Sequence, residues 1–158
     1  MKPFRISAPL SIRALGPGDV SLLERMSKTF GKVFGQRETY SGSPPSEAYL
    51  RRLLEGDSFI ALAATKGDEV VGGIAAYELR KFEQERSEIY IYDLAVAEGH
   101  RREGIATALI LELKRIAASR GAHVIFVQAD YEDAPAIALY SKLGVREDVL
   151  HFDIAPSE

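Results

Sequence analysis

The chain has 158 residues, of which 46% are hydrophobic, and its formal net charge is -3. This length suits a single domain over residues 1–158, and the negative charge gives little support to nucleic-acid binding. The absence of cysteine excludes disulfides, thiolate metal sites and a cysteine acyl-enzyme. The histidines are scattered, so no metal site is predicted, and no apolar run approaches the ~20 residues of a membrane span. The first residues lack the apolar core of a signal peptide, which favours a cytoplasmic protein.

The N-terminal third of the chain predicts one strand and two helices after a flexible leader at residues 1–9. The strand covers Ser11–Leu15, and a Gly-Pro-Gly sequence ends it. Apolar side chains then recur at helical spacing over Val20–Val33 and again over Ser46–Leu54. Between the two helices, Gln36–Pro45 is polar and contains paired prolines, which predicts a loop.

The next segment predicts a β-hairpin. Phe59–Ala64 and Val70–Leu79 are rich in apolar residues, and the connection between them contains Gly67. Gly72 and Gly73 interrupt the second strand, where they predict a bulge or a close approach of another backbone. A charged loop at residues 80–87 is expected to follow.

The most informative stretch is Ile89–Ala118, which combines a strand, a turn and a helix. Ile89–Val96 is almost entirely apolar, as expected for a strand that is covered on both faces. The helix has an apolar stripe at helical spacing and is expected to end at Gly121. In the turn, Arg101 and Gly104 precede the helix, where free backbone N–H groups and the helix dipole favour an anion. The turn therefore suits a phosphate group.

The C-terminal part of the chain predicts two further strands and a helix. His123–Ala129 is expected to be a buried strand, Ala134–Leu143 a helix, and the alternating segment Val149–Ile154 a final strand. The strand–helix–strand unit from Ile89 to Ala129 should form a right-handed parallel crossover. The order of elements predicts an α/β fold, with a mixed sheet and helices on both of its faces.

Two motifs give the chain a resemblance to a known family. The sequence Arg101-x-x-Gly104-x-Ala106 resembles the pyrophosphate-binding signature of the GNAT acetyltransferases. Nearer the C-terminus, Tyr140 and Gly144 stand at the spacing of a second GNAT motif. The resemblance covers almost all of the chain. It implies the GNAT fold, in which the central strands of a mixed sheet splay apart, and acetyl-CoA as the cosubstrate, with no metal.

The resemblance also implies which residues bind acetyl-CoA. Carried over by position, these are Leu94, Ala95, Val96, Arg101, Arg102, Glu103, Gly104, Ile105, Ala106, Thr107 and Tyr140. The N–H of Leu94 would point at the thioester carbonyl, where a donor stabilises the negative charge that develops. Tyr140 would lie near the sulfur and protonate the leaving thiolate. The alternative is a tyrosine that only packs on a short helix.

Carboxylates near the central strand are candidates for a general base. An amine acceptor is protonated at neutral pH and must lose a proton before it attacks. The candidates are Asp93 on the central strand, Asp130 after the next strand, and Glu88 at the strand entrance. Asp93 interrupts an apolar run, and a buried charge costs free energy unless it is paired or used. The alternative is a structural carboxylate bonded to nearby backbone, and the sequence leaves both open.

An acidic turn follows the predicted strand His123–Ala129. Asp130, Glu132 and Asp133 lie just after its carboxyl end, where the sites of α/β proteins gather. They favour recognition of a cationic substrate. The alternative is a solvated turn in which Asp133 caps the next helix. Asp133 also stands where many GNAT members have an asparagine that contacts the cofactor.

Longer segments resemble one group within the family. Lys81–Gln84, Arg86–Val96, Val127–Tyr131 and His151–Ile154 closely resemble the aminoglycoside 3-N-acetyltransferases of the gentamicin-resistance type. The resemblance implies direct transfer of an acetyl group from acetyl-CoA to the 3-amino group of an aminoglycoside. The residues expected to bind this substrate are Tyr90, Tyr92, Asp93, Asp130, Tyr131, Glu132 and Asp133. The N-terminal third of the chain matches this group less well.

Other functions remain open at this stage. The acceptor could be a polyamine or a protein amino terminus, since these are cationic too, or the domain could bind acetyl-CoA without turning it over. In the GNAT fold the first two helices line the acceptor site, so Tyr40 in the predicted loop is a further candidate; the alternative is an ordinary surface loop. Edge strands near the C-terminus also leave a homodimer open.

Overall fold

A computed structural model describes residues 8–157, so residues 1–7 of the predicted leader lie outside it. The chain forms two compact units, the first ending at Gln128 and the second beginning at Ala129. Each unit has its own secondary structure. Within residues 8–157, no helix is both long enough and apolar enough to cross a membrane.

The first unit is built on a five-stranded sheet. Its strands are β1 (Leu10–Ala14), β2 (Phe59–Lys66), β3 (Glu69–Arg80), β4 (Ser87–Val96) and β5 (Ala122–Val127). They lie in the order β1-β2-β3-β4-β5. The first four strands are antiparallel neighbours, whereas β4 and β5 are parallel. The predicted mixed sheet and parallel crossover are therefore confirmed.

Helices cover both faces of this sheet. The first unit contains α1 (Val20–Phe34), α2 (Arg37–Ser41), α3 (Glu47–Glu55) and α4 (Ile105–Arg120), and the second unit contains α5 (Ala134–Leu143). A side chain at Gly72 would meet Ile105 of α4 at 3.4 Å, whereas one at Gly73 would meet Met26 of α1 at 2.5 Å. Because successive strand residues point to opposite faces, α1 and α4 lie on opposite sides of β3. The two glycines mark close approaches, as predicted.

Local sequence signals set the helix boundaries. The Ser46 hydroxyl accepts a hydrogen bond of 3.1 Å from the Tyr49 N–H and so caps α3. Gly35 and Gly121 end α1 and α4 in the left-handed conformation, with φ of 64° and 70°. Gly67, with φ of 58°, makes the predicted turn between β2 and β3. These positions follow the sequence because caps and tight turns depend on a few neighbouring residues.

The predicted loop Gln36–Pro45 is partly wrong, because it contains the short helix α2. The α2 helix is held by tertiary contacts. The ring of Tyr40 packs against Phe30 and Phe34 of α1, with centroid distances of 6.3 and 5.8 Å. The paired prolines follow this helix without interrupting it.

The C-terminal strand predictions are also corrected. The strand β5 is present, but it ends at Val127 and its residues are half-buried or exposed instead of buried. No strand forms over Val149–Ile154, since residues 144–157 contain no regular element. Alternation of apolar side chains defines which face a strand would present, but a strand also requires a neighbouring backbone to pair with.

Candidate active site

The strand β4 changes its partners at one point near its middle. Its pairing with β5 runs from Ser87 to Ile91, and the last residue of β5 in the ladder is Val127. On the other side, Ala76 of β3 faces Ile91 and the preceding residue, Ala75, faces Asp93, so Tyr92 is an extra residue in a β-bulge. Bulges of this kind bend a strand and redirect its side chains. The residues from Tyr92 onward therefore lie where β4 has no β5 neighbour.

Asp93 is the residue that follows this bulge, and it is held by a side chain distant in sequence. The Tyr40 hydroxyl donates a hydrogen bond of 3.0 Å to Asp93 Oδ2. Burial raises the pKa of Asp93 above its ordinary value, and the hydrogen bond from Tyr40 opposes that rise. Burial, and then the charge of Asp93, raises the pKa of Tyr40, so the phenol stays protonated and donates.

Further tyrosines surround the same carboxylate. The ring of Tyr92 meets those of Tyr77 and Tyr90 edge to face, at centroid distances of 6.1 and 5.7 Å. Burial raises the pKa of Tyr77 and of Tyr90, and the charge of Asp93 contributes to both shifts. The Tyr90 hydroxyl donates to Gln128 Oε1 at 2.9 Å. A carboxylate among phenol rings can bind an ammonium group by charge and by cation–π attraction.

The predicted phosphate turn lies between β4 and α4. Arg102 has φ of 64° and Gly104 has φ of 76°, so both adopt the left-handed conformation. Alternating conformations of this kind direct successive backbone N–H groups toward one point and form an anion-binding concavity. The α4 helix begins directly afterwards at Ile105. Its N-terminal N–H groups and dipole add to the attraction for an anion.

A carboxylate within this turn contacts a lysine and a histidine side chain. Lys66 of β2 donates to Glu103 Oε2 at 2.7 Å, and His100 Nδ1 lies 3.3 Å from the same oxygen. The hydrogen bond from Lys66 lowers the pKa of Glu103, and the contact with His100 contributes. These contacts partly neutralise a negative charge that would otherwise repel a phosphate.

The second unit contains the remaining candidates. Asp133 Oδ1 accepts a hydrogen bond of 3.1 Å from the Ala136 N–H, so Asp133 caps α5, which is the structural alternative for this residue. The guanidinium of Arg146 lies 5.8 Å from the ring centroid of Tyr131. Burial, and then the charge of Asp133, raises the pKa of Tyr140 to about 12.

The structure sorts the predicted site residues into groups. Tyr90, Tyr92 and Asp93 lie together on β4, immediately before the predicted cofactor segment Leu94–Val96. Glu88, a further candidate for the base, lies 3.9 Å from the Lys81 ammonium group. Tyr140 belongs to the second unit. The same unit contains the other residues predicted to bind the drug, which are Asp130, Tyr131, Glu132 and Asp133.

Two neighbours of Asp93 were less evident from the sequence. Tyr77 is not among the predicted site residues, although it faces both Phe59 and Tyr90 in the sheet register. Pairing Phe59–Ala64 with Val70–Leu79 around the Gly67 turn would have placed it beside an aromatic residue. Tyr40 was a candidate on the acceptor side, but its bond to Asp93 spans 53 positions of sequence and had no local signal.

Comparison with known proteins identifies the family. The model of the acetyltransferase (GNAT) family matches residues 22–145. The chain therefore belongs to the GNAT acetyltransferases, whose members use acetyl-CoA, and the family predicted from the sequence is confirmed. Within residues 8–157, no cluster of histidine and acidic side chains is arranged to hold a metal ion.

Several individual acetyltransferases are similar to this chain. An aminoglycoside acetyltransferase from an uncultured soil metagenomic sample is 66% identical, with a TM-score of 0.92 over 94% of this chain and 99% of that one. A second one, solved in complex with sisomicin, is 30% identical, with a TM-score of 0.86 over 92% and 95% of the two chains. Streptothricin acetyltransferase of Streptomyces lavendulae is 32% identical over 84% of this chain and 79% of its own length. N-acetyltransferase 8B of Rattus norvegicus is 27% identical over 89 residues, and the match spans 40% of its length.

Proposed function

We propose that this protein transfers an acetyl group from acetyl-CoA to the 3-amino group of an aminoglycoside. The observation that carries the proposal is the environment of Asp93. This half-buried carboxylate is ringed by phenols and directly precedes the segment Leu94–Val96 on β4. The likeness to aminoglycoside acetyltransferases at 66% and 30% identity supports the substrate class. Acetyl-CoA is an intracellular metabolite, so the proposal places the protein in the cytoplasm.

In this proposal the reaction is a direct attack within a ternary complex. Asp93, or Asp130 in its place, accepts one proton from the ammonium group of the drug. The free amine forms a bond to the acetyl carbon, and the carbon–sulfur bond breaks. The N–H of Leu94 stabilises the negative charge on the carbonyl oxygen, and Tyr140 gives its proton to the departing sulfur. The amide nitrogen then releases its remaining extra proton to solvent.

The proposed cofactor site combines two features of the first unit. The free edge of β4 beyond Ile91 offers the backbone of Leu94–Val96 to the pantetheine arm. The turn at Arg102 and Gly104 offers backbone N–H groups, with the two arginines of the turn, to the pyrophosphate. The remaining cofactor residues in the proposal are Glu103, Ile105, Ala106, Thr107 and Tyr140.

Recognition of the drug follows from its charge. An aminoglycoside carries several ammonium groups, and the rings of Tyr90 and Tyr92 beside Asp93 suit one of them. Asp130, Tyr131 and Glu132 are proposed to bind the others, while Asp133 also caps α5. A polyamine or a protein amino terminus would satisfy the same charges, so either is the second candidate for the acceptor.

The test is turnover with gentamicin and acetyl-CoA, followed by locating the new amide by NMR. We expect free thiol to appear and the acetyl group to be on the 3-amino nitrogen. Acetylation at another amino group would contradict the proposed 3-amino position but would still support an aminoglycoside acetyltransferase. Turnover of spermidine or a peptide amine without turnover of the drug would favour the second candidate. Acetyl-CoA binding with no transfer to any of these amines would favour a non-catalytic module.

The proposal includes a homodimer. In the second unit, Val145, Leu150, Phe152 and Ile154 expose 97%, 84%, 76% and 89% of their surfaces. Exposed apolar side chains close together in sequence suit a protein interface, and a second copy is the partner that is always present. Light scattering should give twice the chain mass, and replacing Leu150 and Phe152 by serine should give the single-chain mass. A wild-type protein of single-chain mass would contradict this part of the proposal.

A further inference from the structure

The short helix α2 carries Tyr40, the residue that bonds to Asp93. Its position is fixed by contacts with α1. The Tyr40 ring packs edge to face against Phe30 and at a tilt against Phe34. In addition, the Ser27 hydroxyl donates to the backbone carbonyl of Tyr40 at 3.0 Å. The ring and the backbone of Tyr40 are therefore both held by α1.

The close approach of the two helices depends on Gly31. A Cβ at Gly31 would lie 3.1 Å from Tyr40 Cβ and 3.3 Å from Arg37 Cα. Both distances are short for a carbon–carbon contact, so a side chain there would push α2 away from α1. The presence of glycine at this position allows the Tyr40 hydroxyl to reach Asp93 on β4.

We propose that Tyr40 is a positioning residue for Asp93, and that the packing of α2 on α1 sets its place. The inference rests on the proposed function, in which Asp93 accepts the proton of the drug amine. Tyr40 occupies Oδ2 of the carboxylate. The proposal assigns the transfer of the amine proton to the other oxygen, Oδ1.

The surroundings of Asp93 make this one hydrogen bond important. The titratable groups near the carboxylate, among the residues described, are phenols: Tyr40 from α2, Tyr77 from β3, and Tyr90 and Tyr92 from β4. Phenols are neutral at physiological pH, so they give Asp93 no ion pair. The Tyr40 bond is the interaction that opposes the effect of burial on the pKa of Asp93, because it stabilises the ionised form of the carboxylate. It also restricts the rotation of the carboxylate, so that Oδ1 keeps one direction.

Tyr40→Phe tests the proposal because it removes the hydroxyl and retains the ring that packs on α1. The pKa of Asp93, measured by carbon NMR of labelled aspartate in the free protein, should rise by about one unit. The acidic limb of kcat/KM for the drug should move to higher pH by the same amount, and kcat at neutral pH should fall about tenfold. The KM for acetyl-CoA should not change. An unchanged pKa and an unmoved limb would overturn the proposal.

Two further variants complete the test. Ser119→Ala is the control, because it removes a hydroxyl that donates to the Ile116 carbonyl within α4, and it should behave as the wild type. Ser27→Ala removes the bond to the Tyr40 backbone without touching Asp93. It should move the acidic limb of kcat/KM to higher pH, as Tyr40→Phe does, but by a smaller amount. The NMR pKa does not depend on catalysis. If Asp93→Asn retains full activity while the pKa responds to Tyr40→Phe, the base assignment fails and the positioning contact stands.

Discussion

Tyr90 stacks on Phe126 across the parallel pair β4–β5, with ring centroids 4.7 Å apart and planes inclined by 4°. The two residues face each other in the strand register, one position before the last pair, Ile91 and Val127. β4 then continues to Val96 without a β5 neighbour. The stacked rings therefore hold the two strands together immediately before they part.

Removing this stack should weaken the sheet at the point where it opens. Phe126→Ala is expected to lower the free energy of unfolding by about 1–3 kcal/mol, since the ring is half-buried and loses its aromatic partner. Urea denaturation measures the loss. Val124→Ala, on the same strand with a side chain that is 42% exposed, is the control and should cost less than about 1 kcal/mol. Equal losses for the two variants would mean that the stack contributes nothing specific.

The close approach at Gly72 gives a prediction for the cofactor strand. A Cβ there would lie 2.8 Å from the carbonyl oxygen of Ala95, a backbone atom that moves only with β4. Gly72→Ala should therefore lower the free energy of unfolding by about 1–3 kcal/mol and weaken coenzyme A binding. Calorimetry measures both effects. Gly18→Ala is the control, because a side chain at Gly18 meets nothing within 4 Å. Wild-type stability and affinity in Gly72→Ala would contradict the close approach.

The turn that contains Arg102 and Gly104 predicts that the affinity for coenzyme A depends on the charge of Arg102. Arg102→Ala should raise the Kd of coenzyme A about tenfold, because one charge-assisted hydrogen bond to the pyrophosphate is lost. The difference from the wild type should shrink at high salt, since ions screen the attraction. Arg115→Ala is a suitable control: Arg115 lies on α4 and pairs with Glu112 at 2.6 Å. Isothermal titration that gave the same Kd for both variants would exclude Arg102 from the site.

The buried carboxylate makes stability depend on pH. Burial raises the pKa of Asp93 above the ordinary value of 3.8, so the native state binds this proton more tightly than the unfolded chain. Ionisation at neutral pH therefore weakens the native state, and below the ordinary pKa, where both states are protonated, this cost is absent. The asparagine of Asp93→Asn cannot ionise. The free energy of unfolding of this variant, relative to that of the wild type, should therefore increase as the pH rises from about 4 to about 7.

Urea unfolding at the two pH values checks this prediction. The same variant should lose acetyl transfer if Asp93 is the base, so stability and activity would change in opposite directions. Glu112→Gln is a control of opposite sign: the hydrogen bond from Arg115 lowers the pKa of Glu112, so this variant should lose stability relative to the wild type as the pH rises through the carboxylate range. A constant difference between wild type and Asp93→Asn would show that Asp93 keeps an ordinary pKa.

Much of the fold could be predicted because its signals are local. The apolar run at Ile89–Val96, the cap at Ser46 and the left-handed glycine at position 121 each depend on a few neighbouring residues. The errors arose where distant contacts decide the structure. α2 exists because Tyr40 packs on α1, and no nearby residue signals that contact. Val149–Ile154 has the right alternation, but a strand also needs a partner.

The candidate site was predicted unevenly for the same reason. Asp93 could be selected because a charged residue inside an apolar strand is unusual. Its hydrogen-bond donor, Tyr40, and its neighbour Tyr77 come from other elements, and their approach depends on the register of three strands and two helices. The bulge at Tyr92 is equally hidden, because it arises from a register shift between Ala75 and Ala76 of β3.

Tyr140 gives a prediction that separates chemistry from binding. If its phenol protonates the leaving sulfur, Tyr140→Phe should lower kcat about 10²–10³-fold, the size typical of a lost general acid. The Kd of acetyl-CoA should change less than about threefold, because one hydroxyl contributes little to binding. Burial raises the pKa of Tyr140 to about 12, so the wild-type kcat should show no alkaline limb from this group below about pH 10. Stopped-flow turnover measures kcat, with Ser119→Ala on α4 as the control. A Tyr140→Phe enzyme with wild-type kcat would remove Tyr140 from the reaction.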